Sequence, residues 1–241
     1  MSDQMAPPSL ERGSDGLYLV AFPSQWLQLD VRGWSDRQRY SWQQVQKLPS
    51  LYAAIAGPMW HESGRTLAMF WQPSKGINIA SRVPRYGLSV NVFSDGSVQC
   101  AHGAKKFEHA TLAVQGFPSL IEDGRPQPTT EHDSGGEWRS ALVAWPAHKW
   151  LGFAIGHMGM DVFRDRLLHR GIPWAVYTDG GSSTNLVTPT ARVGHPRPRT
   201  LPGWLEAIAP PCGPSTAVKV GLGAMAALGA WYLLGGTSRV F

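Results

Sequence analysis

Trp174-Ala175-Val176-Tyr177-Thr178-Asp179-Gly180-Gly181-Ser182-Ser183-Thr184 runs four residues suited to a buried strand directly into a carboxylate, two glycines and three hydroxyls. Ahead of it, Met160, Phe163, Leu167 and Leu168 recur at helical spacing, and Gly171 is placed to end that helix. A helix feeding a strand that ends in Asp-Gly-Gly-Ser-Ser puts a charge and bare backbone at a sheet edge. Glycines let a ligand approach the main chain there, and the free N–H groups can form an anion-binding nest. The same residues also make an ordinary chain reversal. Both readings stand on this segment alone.

Outward from this stretch, short apolar segments alternate with turns. Strands are expected at 17–22, 26–31, 66–71, 88–93, 111–114, 139–145 and 150–155. Asp95-Gly96, between 88–93 and 98–101, reads as a hairpin turn and argues for antiparallel pairing. Helices are expected only at 42–47 and 160–170. The fold class this predicts is α+β, a mostly antiparallel or mixed sheet with few helices. Charged residues are few, at 16%, beside 27 glycines, 19 prolines and 11 tryptophans, which suits a strand- and turn-rich domain better than a bundle or a disordered chain.

The net charge of +5 is unevenly placed, with five basic residues against one acidic in 185–241. A nucleic-acid-binding face on the main domain is therefore not expected. Cys100 and Cys212 have no zinc spacing and read as two free thiols. The first ten residues lack the basic start and apolar core of a signal peptide.

The organisation expected is an arm at 1–16, a domain at 17–190, a Pro/Arg-rich linker at 191–214, a transmembrane helix at 215–236 and a short tail at 237–241. The uncharged run 220–236 has 17 residues, at the short limit of about 17–25 for a bilayer span. Lys219 can snorkel, and small residues such as Gly221, Gly223 and Ala227 would allow helix–helix self-association. A Gly/Ala-rich helix packed within protein is the alternative. The basic linker and Lys219 put the main domain on the cytoplasmic side of a single-pass anchor. Assembly into a virus particle in the cytoplasm fits the same topology.

Three further segments accompany the opening one. Tyr52-Ala53-Ala54-Ile55-Ala56-Gly57-Pro58-Met59-Trp60-His61 is a strand breaking into Gly-Pro and an aromatic. Val114-Gln115-Gly116-Phe117-Pro118-Ser119-Leu120-Ile121-Glu122-Asp123-Gly124 follows, then the Arg-led strand from Arg139. In this order the series resembles the phosphodiester glycosidase family over residues 17–190. Members look alike in Asn-x-Gly-Met-aromatic-His, then Gln-x-Gly-Pro-x-Leu-x-x-x-Gly, an Arg-led strand and Asp-Gly-Gly-x-Ser. Ala56 stands where the family usually has Asn, and Phe117 separates Gly116 from Pro118.

The resemblance implies cleavage of a sugar-1-phosphodiester, in a microbial surface or cell-wall glycan. A phosphate leaving group is a weak base, so the site needs a cation to hold it and a carboxylate for the oxocarbenium-like centre or for water. It implies Asp179 as that carboxylate and Arg139 as a bidentate phosphate ligand. His61 and Glu62 are the candidate acid/base partners, and Gly57, Trp60, Gln115, Gly180, Gly181, Ser182 and Ser183 the candidate substrate contacts. No cofactor is expected, although Asp179, Asp123 and His61 leave convergence on a divalent ion open. Gly-x-Ser-x-Gly and the nucleotide-binding fingerprints are absent. A non-catalytic glycan-binding or virion-associated structural protein on the same fold is the alternative.

Overall fold

Every strand pairing among the described residues of this computed structural model is antiparallel. Residues 10, 12–31, 40–57, 67–129, 136–200 and 203–210 are described. The strands are β1 (Leu17–Pro23), β2 (Leu27–Asp30), β3 (Leu51–Ala56), β4 (Phe70–Gln72), β5 (Ile77–Ile79), β6 (Leu88–Phe93), β7 (Val98–His102) and β8 (Ala110–Gly116). They continue as β9 (Ser119–Glu122), β10 (Arg125–Pro126), β11 (Glu137–Trp145), β12 (Trp150–Met158), β13 (Trp174–Tyr177), β14 (Asn185–Val187), β15 (Arg192–Gly194) and β16 (Trp204–Ile208). Among the described residues two α-helices join them, α1 (Trp42–Gln46) and α2 (Met160–His169).

The described strands form three sheets, in the orders β1-β12-β11-β13-β9-β10, β15-β14-β3-β16-β2 and β5-β4-β8-β6-β7. Their inward faces share one core, including Phe22, Leu29, Ile55, Phe70, Val90, Phe153 and Leu205. Side chains alternate across each strand. In β11, Leu142 and Ala144 face that core while Ala141 and Val143 face α2. The α2 face closes with Met160, Phe163 and Leu167, the apolar stripe that the sequence shows. On the second sheet's outer face, Trp42 and Val45 of α1 pack with Ala54, Ala56 and Trp204.

Local signals explain the elements. Ser41 caps α1 in a reciprocal capping box with Gln44. Gly171, at φ +68°, follows α2 in the left-handed conformation that stops a helix. The β6–β7 hairpin turns at Asp95-Gly96 with Gly96 at φ +80°, and Asp95 accepts from the Ser97 N–H and hydroxyl at 2.9 and 2.6 Å.

Three expectations are corrected. The 66–71 strand is shorter, only Phe70–Gln72. Within the expected arm 1–16, Asp15 is ion-paired with Arg170 at 2.6 Å and its carbonyl accepts from Arg166, so this part is fastened to α2. The expected linker 191–214 supplies β15 and β16. β16 lies between β3 and β2, with Trp204, Leu205 and Ala207 fully buried. Its Glu206 is buried but satisfied by Trp204 Nε1 at 2.9 Å and Lys75 Nζ at 3.3 Å. The Pro/Arg composition concealed a strand whose apolar residues follow a short break. No helix among the described residues is long and apolar enough to cross a membrane, and the expected span 215–236 lies outside them.

Candidate functional site

β13, an interior strand between β11 and β9, delivers the opening segment to one end of the first sheet. Thr178 N–H donates to Ser140 O at 3.0 Å, one pair beyond Tyr177 in the β11 register, and the chain then leaves β11, with Asp179 N–H donating to Gly57 O at 2.9 Å. Ser140 Oγ lies 2.7 Å from Thr178 Oγ1 and donates to Asp179 O at 2.6 Å. Thr184 Oγ1 closes the loop by donating to Trp138 O at 3.1 Å. Gly116 packs directly against the Tyr177 carbonyl. The segments around Gly57, Gly116, Arg139 and Asp179, far apart in sequence, therefore meet at one place.

The two glycines serve different needs. A Cβ on Gly180 would overlap the Tyr177 hydroxyl, so glycine is required by close packing. Gly181 has open space around it but sits at φ +59°, so glycine is required by backbone conformation. Gly181–Ser183 then form a single 3-10 turn, with Ser182 and Ser183 half-buried at the rim.

Asp179 is half-buried. Burial pushes its carboxyl up to about 6, against the downward pull of the Ser183 hydroxyl, the Gly180 N–H and the Arg199 charge. A carboxylate poised near neutrality can serve as base, nucleophile or electrostatic stabiliser. Arg139 is 4% exposed on the α2 face of β11. Its NH1 donates to the Tyr177 hydroxyl at 3.2 Å, and its NH2 lies 3.6 Å from Glu137 Oε2. It thus braces the ring on which Gly180 rests, from beneath the loop.

Other predicted residues fall differently. Gln115 is a correction: it is fully buried, its Oε1 accepts from Met69 N–H at 3.1 Å, and its Nε2 donates to Val83 O at 3.1 Å and Tyr86 O at 2.6 Å. With its amide committed to backbone, it clamps the 81–87 loop and is closed to a sugar hydroxyl. Gly57 holds the Asp179 backbone through its carbonyl. Trp60, His61 and Glu62 lie outside the described residues. Asp123 sits in the exposed β9–β10 turn, where Gly124 N–H donates to Pro173 O at 2.8 Å. That is the opposite end of β13 from Asp179, so these two carboxylates cannot share an ion. Among the described residues no group of His, Cys, Asp and Glu is arranged to hold a metal.

Two contributors escaped the sequence reading. Tyr177 read only as a strand residue. Arg199 lay in the expected linker, yet its N–H donates to Ser182 O at 2.9 Å and its charge reaches Asp179 while the side chain is exposed. A recess of about 200 Å³, lined by residues including Gln25, Gln72 and Leu112, opens elsewhere, at the far ends of β6 and β8 from this loop.

No protein-family model matches the chain, and no curated protein matches its sequence. Among solved structures it is similar to the zebrafish N-acetylglucosamine-1-phosphodiester alpha-N-acetylglucosaminidase catalytic domain, auto-inhibited by its pro-peptide. That match has a TM-score of 0.62 over 87% of this chain and 89% of the other, at 14% identity. A hypothetical protein from Synechocystis matches at a TM-score of 0.39 and 12% identity, over 80% of this chain and 57% of that one, too low to bear on the argument. The likeness to the zebrafish domain establishes a distant relationship of fold.

Proposed function

We propose that this chain is a hydrolase of glycosyl phosphodiesters, a distant member of the phosphodiester glycosidase group. Asp179 stabilises the developing oxocarbenium centre or activates water. Arg199, on the solvent side of the loop, holds the phosphate, with the Gly180–Ser183 backbone and hydroxyls as further ligands. Arg139 acts from beneath, fixing Tyr177 and through it the loop. The observation carrying this reading is the meeting of four resembling segments around a half-buried carboxylate raised to about 6. The substrate class follows the resemblance, and the distant fold relationship is compatible with it. Residues 215–236 are proposed as the tether that keeps the domain at a membrane.

Asp179→Asn should lower turnover of an aryl glycosyl phosphodiester by at least ~10²-fold, the size of a lost catalytic group. Wild-type turnover in that variant would remove Asp179 from the mechanism. The non-catalytic glycan-binding reading draws on Ala56, a fully buried apolar residue where the resembling loop carries an amide. Saturable glycan binding without hydrolysis by the wild-type chain would favour it.

A further inference from the structure

We propose that residues 81–87 and 103–107 form a second subsite beside the Asp179 loop, one that grips the anionic chain of a phosphodiester-linked glycan. The substrate class rests on the hydrolase reading above; the surface itself does not. Tyr86 would stack on a sugar face, and Arg82, Arg85, Lys105 and Lys106 would meet the phosphates.

Tyr86 is 68% exposed, and among the described residues only Val162 joins it as an exposed large hydrophobic side chain. Its backbone is nevertheless held firmly. Gln115, fully buried, donates to both Val83 O and Tyr86 O, and Tyr86 N–H donates to Val83 O at 3.1 Å. Gly103 N–H donates to Gly87 O at 2.7 Å and Ala104 N–H to Pro84 O at 2.8 Å, tying the two loops together. A ring displayed on a fixed loop loses little entropy when a ligand covers it. Its apolar face suits the C–H face of a pyranose.

Charge selects the ligand further. Arg82, Arg85, Lys105 and Lys106 are all exposed. The sequence has no acidic residue within 81–87 or 103–107; Asp95 is at the distant hairpin turn, 3.1 Å from Lys149, while the carboxylates of Glu108 and of Glu122, 3.1 Å from His102 Nδ1, border the surface. Four cations against two bordering carboxylates leave this surface net cationic. Guanidinium groups match phosphodiester oxygens, and an aromatic among them adds affinity for a ring-bearing polymer. The location completes the argument. Gly87 abuts Gly116 and Phe117, and Gly116 abuts the Tyr177 carbonyl. The surface therefore begins about two strand spacings, roughly 10 Å, from the segment that carries Asp179.

The test compares the full chain on a synthetic poly(glucosyl phosphate) and on an aryl glucosyl phosphodiester. Tyr86→Ala and the Arg82→Ala/Arg85→Ala pair should each raise KM for the polymer roughly tenfold, the scale of one or two lost stacking or phosphate contacts. Turnover at saturation, kinetics on the aryl substrate and melting temperature should stay as in the wild type, and Tyr86→Phe should retain polymer affinity. Unchanged polymer KM in both variants would overturn the subsite. Neutral dextran competing as well as the charged polymer would overturn the charge argument. A single-stranded oligonucleotide binding more tightly than the polymer would overturn the ligand class. If the wild type cleaves neither probe, the hydrolase reading fails, and calorimetric binding of the polymer to the same variants still decides the subsite.

Discussion

Asp179 takes its character from what surrounds it. The carboxyl titrates near its usual 3.8 in an unfolded chain and near 6 in the folded protein. Between those values the folded state holds the extra proton, so stability falls as pH rises through the window and the deficit is complete above it. Asp179→Asn cannot ionise and escapes this loss. Its melting temperature relative to wild type should climb between about pH 4 and 6 and then level off. A difference that stays flat from pH 4 to 8 would mean that the carboxylate is not desolvated. Where the ionised form is the working one, kcat/KM should rise through the same window. The sequence displayed the Asp-Gly-Gly-Ser chemistry but not this environment. The burial of the carboxyl, and the approach of Arg199 from 20 residues further on, exist only once the chain has folded.

At the scale of the element, the loop after β13 depends on two glycines that the sequence presents as equivalent. Gly180→Ala places a methyl group on the Tyr177 hydroxyl and should destabilise by about 1–3 kcal/mol, the usual range for overpacking. Gly181→Ala meets no neighbour and should cost only about 1 kcal/mol, the left-handed penalty. Thermal melts that rank Gly181→Ala as the worse variant would overturn this account of the loop. α2 and the strands β6, β11, β12 and β13 were legible because each carries its own period and its own stop signal. β5, β9, β10, β14 and β15 were not. They are short, and β14 and β15 are flanked by turn residues that look like loop when no partner strand is known.

For the whole molecule, the position of β16 decides where the domain ends. A chain stopped at residue 200 loses a central strand and the buried Trp204, whose removal alone should cost about 3–5 kcal/mol, and it should fail to give a cooperative melt. A chain stopped at 210 keeps every described strand and should melt like the full protein. If 215–236 is a tether, that same truncation should also move the protein from membrane to soluble fractions. A cooperative melt for residues 1–200, or an unchanged distribution for residues 1–210, would overturn the corresponding half of this prediction. The charge of the whole chain is equally uninformative until folded. Composition put the basic excess in the tail, while the folded surface gathers four cations from two separate loops within the domain.

The sequence by itself determined a strand-rich fold of mostly antiparallel or mixed pairing, the helix that packs on the first sheet and the Asp-Gly-Gly-Ser loop at the end of β13. These follow from local rules, since side-chain period, turn residues and caps act over a few neighbours. Only the tertiary structure decided that Gln115 is a clamp and not a ligand, that Arg139 braces the loop from beneath, and that 204–208 is core and not linker. Each of those outcomes depends on which distant backbone comes within hydrogen-bonding range, and no short-range pattern encodes that.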